Sequence, residues 1–232
     1  MTLAEAIDLA RELIGTRESV GTWDLTTLTR LLNVAQRYWW MKIANAAQGL
    51  CMEEKQLTYT AGSLSQSLAT AGKGSVLKLL AVFRLPNAGA ISATNHPQPI
   101  TPAAGMADLE TDSDSDSSIG RAEAEWTYHR DNSDNLHLRF AGGPVQDTTY
   151  LLARLIRQPT DLVLTTDKLF GDTLHHLHNL VVYRACELAC VKVREAANYF
   201  GGLQREEWAE AEETLKNSDQ MPMGIRHVAD WE

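Results

Sequence analysis

Three groups of side chains have the types and spacing to do chemistry. Asp112, Asp114 and Asp116, in the run DSDSDSSIG, fall at the first, third and fifth places of a calcium loop, with Ile119 eighth and Glu123 twelfth, where a bidentate carboxylate would sit. The sixth place holds Ser117 where the sharp turn wants glycine, and no strong helix precedes it, so a solvated acidic loop is the expected reading. His175 and His178 lie a helical turn apart beside His176 and could share a metal with Asp172, as in a metal-dependent hydrolase. No further ligand and no general acid or base completes that site, and His178 falls beside an apolar stripe, which predicts a satisfied core histidine. Cys186 and Cys190, also one turn apart, could supply two metal ligands but read first as small buried hydrophobes. Without a nucleophile elbow, a phosphate-binding glycine loop or a dinucleotide fingerprint, no enzyme, no resident metal and no cofactor is expected.

The histidines and two of the three cysteines belong to one stretch, 171–197, reading GDTLHHLHNLVVYRACELACVKVREAA. Leu174, Leu177, Val181, Ala185 and Leu188 recur every three or four residues and form one helical face, with Asp172 as its N-cap. Val182, Cys186, Cys190 and Val193 make a second apolar set well around the cylinder, leaving His176, Tyr183, Glu187 and Arg194 as the wet strip. A helix this enclosed needs cover on two sides. The second face, Val182, Cys186 and Val193, is therefore expected to meet a neighbouring subunit.

The remaining elements follow from period and punctuation. Thr2 and Glu5 form a capping box for a first helix ending at Gly15, and Asp24 caps a second that aligns Leu25, Leu28, Leu32, Ala35 and Trp39 and carries a bulky end at Tyr38, Trp39 and Trp40. From Lys55 the period shortens to two, with Ala61-Gly62 as a turn, Val76 to Arg84 as a strand, 125–129 and 136–140 as a hairpin, and Thr149 to Arg157 as another strand. The run from about 87 to 120 loses all period and reads as a flexible acidic insertion. Gly201-Gly202 is expected to break the chain before a last helix, Leu203 to Leu215, with Trp208 on its buried side. The predicted fold is α+β: a bundle of N- and C-terminal helices (1–54 and 161–216), an inserted antiparallel β layer or lobe (55–160), and an extended tail (217–232).

Charge narrows the partners. Lys and Arg total 21 against 30 Asp and Glu, a net charge of -9 in 232 residues, so a duplex-gripping basic surface is not expected. Three cysteines without framework spacing fit a reducing compartment. The N-terminus lacks a signal-peptide pattern, no apolar run approaches the ~20 residues that span a bilayer, and no membrane role is expected.

Four pieces, in order, resemble the head-to-tail connector, or adaptor, proteins of tailed bacteriophages: LTRLLNVAQRYWWMKIA from Leu28, with its Ala-Gln-Arg core; EKQLTYTAGSLSQSLATAGKGSVLKLLAVF from Glu54; TYLLARLIRQPTDL from Thr149, ending Arg-x-Pro-x-x-Leu; and LHHLHNLVVYRACELA from Leu174. The resemblance covers about Trp23 to Leu215. It implies a structural virion protein assembled in the host cytoplasm, a dodecameric ring joining head to tail between the portal and a downstream tail or nozzle protein, with packaged DNA passing through without specific binding. An acidic ring suits passage without retention, since screening confines its repulsion of phosphates to about 8 Å at physiological salt. On this reading the unpatterned tail is a portal-binding arm, anchored by Met221, Met223, Ile225, Val228 and Trp231. Other head- or tail-completion rings are typically small and β-rich, which the helices at both ends disfavour. A regulatory module with a helical dimer interface is a third reading.

Overall fold

The computed structural model describes residues 1–15, 23–71, 73–92, 94–102, 125–140, 147–171, 174–191 and 194–219. The fold is α+β. The chain divides into two units, one made of Met1–Cys51 with Pro159–Glu232 and the other of Met52–Gln158.

The first unit is helical. Helix α1, Leu3–Ile14, starts at a capping box in which the Thr2 hydroxyl accepts from Glu5 N at 3.3 Å and the Glu5 carboxylate accepts from Thr2 N at 2.7 Å. It stops at Gly15, whose φ of 79° is the left-handed cap that glycine takes without a Cβ clash. Helix α2, Leu25–Ala46, is capped by Asp24, which accepts from Thr27 N at 2.7 Å. It buries Leu28, Leu32, Ala35, Trp39 and Ile43, whereas Leu25, expected on the same face, is exposed in the first turn. Helix α3 is His178–Ala189 and helix α4 is Arg194–Asp219. Helix α3 packs against α1, α2 and α4, while Trp39 of α2 meets Trp208 of α4 with ring centroids 5.2 Å apart.

Two boundaries depart from the sequence expectation. The helix expected over 171–197 begins as a tight turn at His175–Leu177, runs from His178 and closes at Cys190. The break expected at Gly201-Gly202 lies before Arg194 instead, and α4 passes through both glycines. Glycine inside a helix costs about 1 kcal/mol against alanine. Burial of Phe200, Ala211 and Leu215 outweighs that, and Gln204 adds a bond from Nε2 to Glu187 Oε2 of α3 at 2.8 Å. Asp172 and Val193 lie outside the described residues.

The second unit is built from two antiparallel sheets. Strands β1 (Met52–Tyr59), β7 (Thr149–Arg157), β3 (Val76–Leu85) and β4 (Gln98–Ile100) form one in that order. Strands β2 (Gln66–Ser67), β6 (Leu136–Phe140) and β5 (Trp126–Arg130) form the other. The inward residues of both meet in one apolar cluster that includes Leu57, Tyr59, Val82, Leu138, Phe140 and Leu151. The expected hairpin is present, with Trp126 opposite Phe140 and Arg130 opposite Leu136. Its turn is tied by the Asp131 carboxylate, which accepts from Ser133 N and Asn135 N at 2.8 Å each. Those bonds, with Asn135 the largest cause and His137 a smaller one, pull the Asp131 pKa down to about 2.

Strand β4 falls within the insertion expected to be loop. It pairs with β3 through Val82–Ile100, Phe83–Pro99 and Arg84–Gln98, and Pro99, lacking an N–H, is tolerated because β4 is an edge strand. Asn95 orders the approach to it by accepting from Asn87 N at 2.9 Å and donating to Ala90 O at 3.2 Å. Residues 103–124, including the Asp112 to Glu123 calcium-like run, lie outside the described residues.

Candidate functional site

Helix α2 positions three polar side chains within about one turn, Asn33, Gln36 and Arg37, and all three reach the segment that follows the Arg157-x-Pro159 end of β7. Asn33 clasps the Leu162 backbone, donating to its carbonyl at 3.0 Å and accepting from its amide at 2.8 Å. Gln36, almost wholly buried, donates to Thr160 O at 3.2 Å and accepts from Phe170 N at 2.8 Å. Arg37 grips Asp161 with Nη2 2.6 Å from both carboxylate oxygens. Phe170 holds a left-handed φ of 53°, uncommon for a bulky side chain, in a conformation secured by Gln36 and by packing on Trp40 at 5.7 Å. The Ala-Gln-Arg core and the Arg-x-Pro-x-x-Leu end, far apart in the chain, thus supply partners to each other within the helical unit.

Arg157 has a different task, inside the β unit. Its buried guanidinium donates to Leu68 O and Thr70 Oγ1 at 2.8 Å each and to Gly74 O at 3.3 Å, and pairs with Glu53 at 3.3 Å. A buried arginine is tolerated only when its donors are used in this way.

The chemistry-bearing residues separate. His178 is buried, its Nδ1 lies 3.0 Å from the Met1 α-amino nitrogen, and its ring packs on Phe170 at 6.0 Å and on His175 at 5.2 Å. His175 and His176 are exposed. Among the described residues no group of three His, Cys, Asp or Glu side chains is placed to hold a metal ion. Cys51, Cys186 and Cys190 are buried free thiols, and burial pushes Cys51 and Cys186 up to about 12, so both stay protonated at neutral pH. Of the second apolar face of α3, Val182 and Cys186 are each 0% exposed within this chain. The helices of the subunit cover them, Cys186 Sγ lying 3.9 Å from Ala10 O of α1. The expected subunit contact is corrected for these two residues, because a side chain with no accessible surface in one copy cannot present itself to another. The proposed portal-binding residues Met221, Met223, Ile225, Val228 and Trp231 lie outside the described residues.

What is exposed instead was missed. Val34, Tyr38 and Met41 line the outer face of α2, 47%, 38% and 45% exposed. The signal was available, since they fall at i, i+4 and i+7 opposite the Leu28-Leu32-Trp39 stripe, but the bulky Tyr38-Trp39-Trp40 run obscured it. Trp39 and Trp40 turn inward to Trp208 and Phe170, and Tyr38 turns out, with Lys42 Nζ 5.3 Å and the Arg184 guanidinium 4.5 Å from its ring centre.

Residues 1–226 match the family model of the SU10 adaptor protein. The chain belongs to that family. SU10 adaptors are phage head-to-tail adaptor proteins, structural components of the virion, in accord with the resemblance read from the four sequence pieces. The match takes in both the helical and the β unit of this SU10 adaptor. No curated protein matches the chain. No helix among the described residues is long and apolar enough to cross a membrane.

Proposed function

We propose that this adaptor assembles as a closed ring beneath the portal, joins the head to the downstream tail or nozzle protein, and lets packaged DNA pass through its centre. The observation that carries the reading is family membership across residues 1–226, which includes both units. The composition supports it. At a net charge of -9 the protein repels phosphates at short range rather than holding them, so a duplex slides past instead of binding. The protein needs no reaction to do this; its task is geometric, offering two flanks to ring neighbours and two ends to other proteins.

Portal attachment is assigned to the tail beyond Asp219, whose Met221, Met223, Ile225, Val228 and Trp231 would dock as apolar anchors on the portal. The test is a chain ending at Asp219, which keeps α4 whole, mixed with portal rings of the same phage and compared with the full chain by electron microscopy and mass photometry. The full chain is expected to decorate portals as a ring, and the shortened chain to stay folded and unbound. Equal decoration by both would sink the tail assignment, and no decoration by the full chain would sink the portal reading itself.

A further inference from the structure

We infer that the ring contact is made between unlike helix faces, the outer face of α2 in one copy seating on the outer face of α4 in the next. This rests on the ring reading and names the surfaces that would build it.

Helix α2 carries Arg30, Arg37 and Lys42 and no acidic residue over its whole length. Its exposed strip has the apolar trio Val34, Tyr38 and Met41 in the middle, with Arg30 and Lys42 exposed at the borders. Arg37 is already occupied by Asp161. In α4 the balance reverses and acidic residues outnumber basic ones. Its outward residues recur at helical spacing: Tyr199, 62% exposed, then Glu206, Glu210 and Glu213, with Gly202 between them offering a place without a side chain. The opposite side of α4 is spent on the subunit core through Phe200, Gln204, Ala211 and Leu215. Each helix therefore has one face committed and one free.

The charges decide how two such faces combine. Two α2 faces brought together would oppose Arg30 and Lys42 to their own copies, and two α4 faces would oppose three glutamates to three. Like charges across an interface are disfavoured, whereas the unlike pairing brings basic borders to an acidic strip and covers Val34, Tyr38 and Met41. A contact between two different patches of one chain is head-to-tail, the type that closes into rings. The occupant of the α2 face is thus a second copy.

The test is a charge swap in the full chain. Arg30→Glu with Lys42→Glu, both at exposed sites, is expected to keep the far-UV spectrum and melting temperature while subunit association, read by native mass spectrometry and on portal rings, weakens roughly tenfold or more. Adding Glu206→Lys and Glu210→Lys to that variant is expected to restore assembly. Rings formed unchanged by the reversed variant would overturn the surface assignment and leave the ring reading standing, as would a loss that the compensating pair does not repair. A wild-type chain that never forms rings, free or on portals, would overturn both.

Discussion

The two units solve the same problem of closure by different means. The β unit closes with backbone: ladders join β1, β7 and β3 along their lengths, and one apolar cluster fills the space between its sheets. The helical unit closes differently: its helices satisfy their backbones internally, and the second half of the connecting segment 160–170 pairs with the backbone of Met1, Leu3 and Ala4. Along the rest of it side chains supply the partners, Asn33 on Leu162 and Gln36 on Thr160 and Phe170. A ladder tolerates most substitutions that keep the strand. A side-chain clasp depends on one residue identity at each point.

That contrast can be broken most forcefully at Gly74, in the backbone-closed unit. A Cβ there would overlap the Gln158 carbonyl oxygen, an atom fixed by the neighbouring Gln158 N to Ser75 O bond of 2.8 Å. Gly74→Ala is expected to cost about 4 kcal/mol, with β7 amides losing hydrogen-exchange protection while α3 amides keep theirs. If α3 loses protection to the same extent, the units do not act separately. In the helical unit, Gln36→Leu removes two buried bonds, one to the Thr160 carbonyl and one from the Phe170 amide, an expected loss of about 3 kcal/mol in urea unfolding. A loss below about 1 kcal/mol would show that the clasp is dispensable. The smallest effect has the opposite sign. The Tyr59 hydroxyl is buried without a hydrogen-bond partner among the described residues, and burial pushes its pKa up to about 12. Tyr59→Phe is expected to stabilise the β unit by about 1 kcal/mol, and a decrease in stability would mean that the hydroxyl has an acceptor after all.

Much of this was readable in advance where the cause is local. Thr2, Gly15 and Asp24 act as caps because a cap needs only its own helix end. The 126–140 hairpin follows from alternation and its turn. Illegible parts were those whose cause lies elsewhere in the chain. Strand β4, with Pro99 at its middle, exists only because β3 presents an open edge, and α4 survives Gly201 and Gly202 only because its inner face is packed. The apolar band of α3 shows in the sequence a need for cover on two faces, but not the identity of the cover. Helices α1, α2 and α4 of the same chain supply it, so Val182 and Cys186 are interior. The surfaces left over, on α2 and α4, appear only once it is known which faces were used.

By itself the sequence determined the α+β class, the caps, the strands of strong period and the family, because each depends on residues near one another or on their order. Only the tertiary structure decided which apolar face is core and which is free, since a helix shows two such faces equally and burial is a property of what packs against it. It also decided that Gln36 and Arg37 meet Thr160, Asp161 and Phe170, a pairing across more than a hundred residues that no period in the chain encodes.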